Sequence, residues 1–183
     1  HSLELPAELT QNVHARARAE GATPFMVLLA AIQVLLARYT GQRDIRLGVP
    51  IANRHRAETK GVVGLFANTQ ELRNVIDGRQ SLCEVLTQAE EAARGAQRHQ
   101  DLPFEQLVEA LQPERNLSAN PLFQVMFNHQ RQDRSALAAL PELRLEDYEL
   151  GGQGAQFELT LNTSENSDGT MLISFTYAKE LFE

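Results

Sequence analysis

The stretch PFMVLLAAIQVLLARY, residues 24–39, is apolar on almost every side and is broken only by Gln33 before Arg38. Whether it crosses a membrane or lies inside a folded domain decides how the rest is read. A spanning helix needs about 20 predominantly apolar residues, and a shorter helix that is apolar all round belongs in the interior of a soluble domain. Its ends are marked. Thr23 is placed to cap the start, Pro24 suits the first helical position and Gly41 provides the stop. The run is therefore read as a central core helix.

Before it, residues 6–20 put Leu9, Val13 and Ala17 on one face between Pro6 and Gly21, the pattern of an amphipathic helix. After it, Ile45, Leu47 and Val49 alternate with Arg46 and Gly48, the period of a half-buried strand that Pro50 closes. A polar connection over residues 52–61 leads into an apolar run from Val62 to Ile76. This run reads as a long central strand covered on both faces, with Gly64 marking a bulge or a close backbone approach. Asn68, Thr69 and Gln70 lie inside it and need either partners or a cavity to face. Ser81 and Glu84 have the spacing of a capping box, opening a helix to about Gln97 along the stripe Leu82, Val85, Leu86, Ala89 and Ala93.

A second short helix is expected over residues 101–112, where Phe104, Leu107, Val108 and Leu111 share a face. Four strand candidates follow: PLFQVMFN at 121–128, ELRLEDYEL at 142–150, AQFELTLN at 155–162 and TMLISFTY at 170–177. The last two flank SENSDG, whose Asp168-Gly169 pair signals a hairpin. Helices early and strands late, with strands also between helices, give a single α/β domain over 1–183. Its architecture is an α+β two-layer sandwich in which helices cover a mixed sheet.

Composition narrows the function. A net charge of −7 and a pI near 5.3 leave no basic field for a phosphate backbone, so nucleic acid is not an expected partner. Cys83 is the only cysteine, which excludes an internal disulfide and fits a reducing, cytoplasmic setting. The first residues lack the basic start and apolar run of a secretory signal, and no membrane association is expected. There is no glycine-rich phosphate loop, no nucleophile elbow and no set of residues at metal-ligand spacing, so no metal is assigned.

HQDLPFEQL, residues 99–107, crowds His99, Asp101 and Glu105 into a short span that resembles an acid/base cluster. Each polar residue also has a structural explanation. Asp101 can accept from first-turn N–H groups, Pro103 fits a first turn, and Glu105 complements the positive end of the helix. The scaffold reading is preferred. His129 and Asp133 form a second, weaker pair.

Three segments in order, VVGLFANTQELRN at 62–74, HQDLPFEQL at 99–107 and RNLSANPLFQVMFNHQ at 115–130, resemble successive signature motifs of condensation domains from nonribosomal peptide synthetases. GVPIANR at 48–54, QFELTL at 156–161 and the closing FTYAKELFE support the likeness, which covers essentially the whole chain. The resemblance implies a chloramphenicol acetyltransferase-like fold of two similar lobes with a tunnel between them, this chain matching the C-terminal lobe. It implies amide formation, in which the amine of one carrier-bound aminoacyl group attacks the thioester carbonyl of another. No cofactor is expected on the chain itself, because the substrates ride on phosphopantetheine arms. Expected partners are the N-terminal lobe, the donor and acceptor carrier proteins and a neighbouring adenylation domain.

The family's His-His-x-x-x-Asp-Gly hallmark belongs to the N-terminal lobe, which is absent from these residues, so no catalytic residue is assigned and the chain is expected to be inactive alone. The resemblance places Gly64, Phe66, Asn68, Thr69 and Arg73 as tunnel lining or motif support. Asn68 is the one expected to face the tunnel and to orient a substrate carbonyl or the absent histidine, and Arg73 is expected to make structural ion pairs. His99, Asp101, Pro103, Phe104, Glu105, Arg115, Asn120 and Pro121 are structural motif positions. Ala67 and Leu102 depart mildly from the pattern. Two alternatives stay open: an epimerisation domain or other acyltransferase of the same fold, and a noncatalytic module that docks carrier proteins.

Overall fold

The computed structural model describes residues 1–59, 61–113, 120–131 and 154–182. The elements run β1 (Ser2–Leu5), α1 (Ala7–Ala19), α2 (Pro24–Thr40), β2 (Asp44–Ile51), β3 (Asn68–Val75), α3 (Leu82–Arg98), α4 (Phe104–Leu111), β4 (Val125–Arg131), β5 (Leu159–Glu165) and β6 (Met171–Tyr177), with a short 3-10 turn at Ala57–Thr59. Among the described residues the strands form one sheet in the order β1-β6-β5-β4-β2-β3. The β2/β4 and β4/β5 pairs are parallel and the others antiparallel, so the sheet is mixed as expected.

Strand alternation separates two faces. Ile45, Leu47, Val49, Leu72, Phe127, Leu161 and Met171 pack with Leu28 and Leu29 of α2 and with Val85, Leu86 and Ala89 of α3 in one core cluster. Helix α2 is the central element foreseen from its apolar run. Thr23 Oγ1 accepts from the Met26 N–H at 3.3 Å and Gly41 closes the helix at φ 70°. Gln33, the one polar break, is fully buried and still satisfied: it donates to the Leu72 carbonyl and accepts from Asn74 Nδ2 at 2.9 Å. Among the described residues no single helix is long and apolar enough to cross a membrane.

Several expectations need correction. The long central strand over 62–76 is a shorter strand, Asn68–Val75, at the edge of the sheet. Residues 62–67 lie outside it, with Val63 and Leu65 fully exposed, so Gly64 marks no bulge. Apolar content without alternation reported an exposed loop there, a case hydropathy cannot tell from a covered strand. Pro50 does not close β2, because it lies inside the strand opposite Thr69. The β2/β4 ladder ends at Gly48–Met126, two residues before Pro50, so none of its pairs includes the proline. In α1 the buried face is Thr10, Val13 and Ala17, and Leu9 is 46% exposed. Thr10 can be buried because its hydroxyl bonds back to the Pro6 carbonyl.

The capping box at Ser81 and Glu84 is present, with Ser81 N–H donating to Glu84 Oε2 at 2.7 Å. The Asp168-Gly169 hairpin joins β5 to β6, Gly169 adopting φ 87°. Strand β4 starts at Val125 and runs past Asn128 to Arg131, while β5 starts at Leu159 and runs to Glu165. Strand β1, pairing with β6, was not foreseen because SLEL is too short to show a period. The candidate at 142–150 lies outside the described residues.

Candidate functional site

Two of the quoted segments meet through Asn68. Its Nδ2 donates to the carbonyls of Gln100 at 3.2 Å and Leu102 at 2.8 Å, and its Oδ1 accepts from the Phe104 N–H at 3.1 Å. One amide side chain at the start of β3 therefore fastens the α3–α4 connection and caps α4. Both amide hydrogens are engaged within the chain, so no donor is left on Asn68 for a substrate carbonyl. Asp101 is not the cap. Pro103 is the residue before the first turn and has no side chain to cap with, and Asp101 turns to His55 Nε2 at 3.2 Å and Arg56 at 3.4 Å.

Around this clamp lies a cleft of about 270 Å³ lined by Asn53, Ala67, Asn68 and Thr69 on one side and by Asp101, Pro103, Phe104 and Glu105 on the other. Its wall is mostly polar, and Asn53, held at φ 51°, keeps its Oδ1 buried without a partner among the described residues. His99 stands apart as the C-cap of α3. It makes no ion pair with Asp101 or Glu105, so the acid/base pairing does not form.

The third segment joins through aromatic contacts. Phe123 is fully buried, with its ring 5.4 Å from Phe104 and 5.6 Å from Phe157, and it fills the space over Gly48. Phe157 comes from the QFELTL segment, so the segments of Phe104 and Phe157 and the GVPIANR strand converge on the Phe123 ring, while the segment at 62–74 joins through Asn68 and the Phe104 N–H. Asn120 and Pro121 prepare this: Asn120 Nδ2 donates to the Gln156 carbonyl at 3.3 Å, and the Phe123 N–H donates to the Pro121 carbonyl. Arg115 lies outside the described residues. Gly48, Phe123 and Phe157 were missed as a group, since a glycine in an alternating strand signals only that something approaches.

Arg73 is away from the cleft, bonded to Asp44 at 2.7 Å across β2 and β3. The Arg73 and Arg46 guanidiniums hold the Asp44 carboxyl down to about 2, while burial pushes Glu71 up. Gly64 and Phe66 belong to the loop ahead of β3, where both are held by Arg54.

On the helix-covered face, His129 Nδ1 lies 2.8 Å from Thr163 Oγ1 and Nε2 lies 3.6 Å from Glu165, which also meets His14 of α1 at 3.1 Å. Asp133 lies outside the described residues. Burial pushes the His129 imidazole below its ordinary range despite Glu165 opposite, with His14 adding to the depression. The unfolded chain then binds this proton more readily than the folded one. Stability is complete above the unfolded value near pH 6.5 and falls as pH drops from there towards the lowered folded value. Urea midpoints should fall between pH 7 and 5.5, and His129→Gln should remove part of that fall.

A family model described as the condensation domain matches residues 1–183. The chain belongs to the condensation-domain family. Among curated relatives of this condensation domain, a protein of the linear gramicidin synthase of Brevibacillus parabrevis is 45% identical over 185 residues, covering 100% of this chain and 2% of that protein. Tyrocidine synthase 3 of Brevibacillus parabrevis is 42% identical over 174 residues, covering 95% of this chain and 3% of that protein. Of solved structures, the X-domain from teicoplanin biosynthesis superimposes with TM-score 0.87 at 27% identity, covering 100% of this chain and 42% of that one. The condensation domain from Monacolin K polyketide synthase MokA gives TM-score 0.87 at 24% identity with the same coverages, a likeness of fold. The chain thus spans a few per cent of the curated relatives and about two-fifths of these solved chains.

Proposed function

We propose that this condensation-family chain is the C-terminal lobe of a two-lobed domain in a nonribosomal peptide synthetase and supplies one wall of the cleft where an amide bond is made. The observation that carries this reading is the match of all 183 residues to the family in a sequence with no adjacent histidine pair. The proton-handling histidine comes from the N-terminal lobe. In the step proposed, the acceptor amine attacks the donor thioester carbonyl, the C–N bond forms, the C–S bond breaks, and the amine proton ends on the departing thiol. Both substrates ride on phosphopantetheine arms of carrier proteins, beside an adenylation domain, in the cytoplasm. Asn68 serves as a positioning residue, fixing α4 and its cleft wall rather than touching the reacting atoms.

The test is amide formation from two loaded carrier proteins. The chain alone should give the uncatalysed rate, and the domain with both lobes should give turnover. Turnover by the chain alone would overturn the reading. A second reading, a docking module without chemistry, is favoured by one observation: the X-domain in its complex with OxyB from teicoplanin biosynthesis has TM-score 0.86 and 26% identity to this chain. It predicts carrier binding with no amide from the two-lobed domain.

A further inference from the structure

At the end of β3 away from the cleft, a hollow of about 280 Å³ lies between the last turns of α2 and the first turn of α3. Strand β3 separates it from Asn68 by on the order of 23 Å, so it is a different place from the cleft. Its floor is apolar: Ile76 and Val85 are buried, and Val34 packs on the same core. Its rim carries Arg38, Arg43 and Asp77.

The charges on that rim are set apart from the rest of the chain. Arg16, Arg46, Arg56, Arg73 and Arg94 each pair with a carboxylate, whereas among the described residues Arg38 and Arg43 pair with none. Arg38 complements the negative end of α2, but Arg43 lies beyond the stop at Gly41 and has no such role. Glu84, in the first turn of α3, is held by Ser81 in the capping box and is not available to them. Asp77 puts the opposite sign on the same rim. Its Oδ1 accepts from the Arg79 N–H at 3.3 Å, and it forms no ion pair with either rim arginine. The backbone that holds these groups apart is ordered: the Ile76 N–H donates to the Arg43 carbonyl at 2.8 Å, the Gln80 N–H to the Asp77 carbonyl at 2.9 Å, and the Asp77 N–H to Gln80 Oε1 at 2.8 Å. Such preorganisation lowers the cost of binding.

A plain anion here would face the Asp77 carboxylate, and a plain cation would face two guanidiniums. A zwitterion meets both signs. The volume falls just under the range of about 300–1,000 Å³ that holds drug-sized ligands, so the apolar body is the size of one side chain. We propose that this hollow binds a free apolar α-amino acid, its carboxylate on Arg38 and Arg43, its ammonium on Asp77 and its side chain against Val34, Ile76 and Val85. The site stands independently of the two-lobe reading.

The test is titration of the full chain with L-leucine, followed through the amide shifts of Gly41 and Gly78, which both line the hollow. Saturable shifts with a Kd of about 1 mM are expected. 4-Methylpentanoate, which lacks the ammonium, and 3-methylbutylamine, which lacks the carboxylate, should each bind at least about fivefold more weakly. Arg43→Gln should weaken leucine about fivefold or more, and Asp77→Asn should do the same while leaving 4-methylpentanoate bound no more weakly than before. Arg98→Gln, in the last turn of α3, should change nothing. All three positions are exposed, so each variant should keep its urea midpoint, and lost binding then reports on the hollow. The absence of a saturable shift by about 20 mM leucine would overturn the site. So would equal affinity for 4-methylpentanoate, the mark of a site for plain carboxylates, or leucine affinity left unchanged by either Arg43→Gln or Asp77→Asn.

Discussion

Replacing Gly48 by Ala is expected to lower the unfolding free energy by about 3 kcal/mol, the upper end of what an overpacked core position costs. An added Cβ would overlap the Phe123 ring at Cε2 and Cζ. Elsewhere a ring edge could swing aside. Here Phe123 is 2% exposed and packed by Phe104 and Phe157, so the strand or the whole aromatic cluster must move. Phe123→Ala alone should cost about 3–5 kcal/mol. The decisive comparison is the double variant. With the ring removed, the three atoms nearest the added Cβ are gone, and a strand alanine is then worth up to about 1 kcal/mol over glycine. Urea unfolding of the four proteins should give a coupling of about 3 kcal/mol or more. Additive losses would mean that Gly48 is required for some other reason.

Asn68→Ala should cost about 2–3 kcal/mol, since it strands the Gln100 and Leu102 carbonyls and leaves α4 uncapped. Asn68→Asp separates the two roles. It keeps an acceptor for the Phe104 N–H but sets a carboxylate against two carbonyl oxygens, so it should be no better than alanine. Hydrogen exchange of the α4 amides checks this locally, with faster exchange expected from Phe104 to Val108 in both variants. In the two-lobed domain both should lower the amide-forming rate with little change in the pH profile, as befits a positioning residue. Rescue by aspartate would show that capping alone matters.

What the sequence disclosed was periodic and local. The caps at Thr23 and Ser81, the stop at Gly41 and the Asp168-Gly169 turn depend on neighbours in the chain, and the structure carries each of them. The extent of β3 was hidden because Val62, Val63 and Leu65 are as apolar as strand residues while facing solvent. Asp101 was misjudged for a related reason: spacing shows that a side chain could cap, but not that an amide 33 positions earlier, Asn68, already does so. The ring of Phe123 and the space above Gly48 are complementary only in three dimensions. Motif order pointed to the family, while the contacts of Asn68, Phe104 and Phe123 exist only in the folded chain.

The claim on which everything else depends is that this chain is one wall of a cleft whose proton-handling imidazole is carried by another lobe. The direct measurement is the rate of amide formation from donor- and acceptor-loaded carrier proteins with the N-terminal lobe, this chain, or both present. Turnover should require both, and should vanish when the paired histidines of the N-terminal lobe are replaced by alanine while His99 and His129 are left intact. Turnover that survives that replacement and is lost on changing His99 or His129 would contradict the claim.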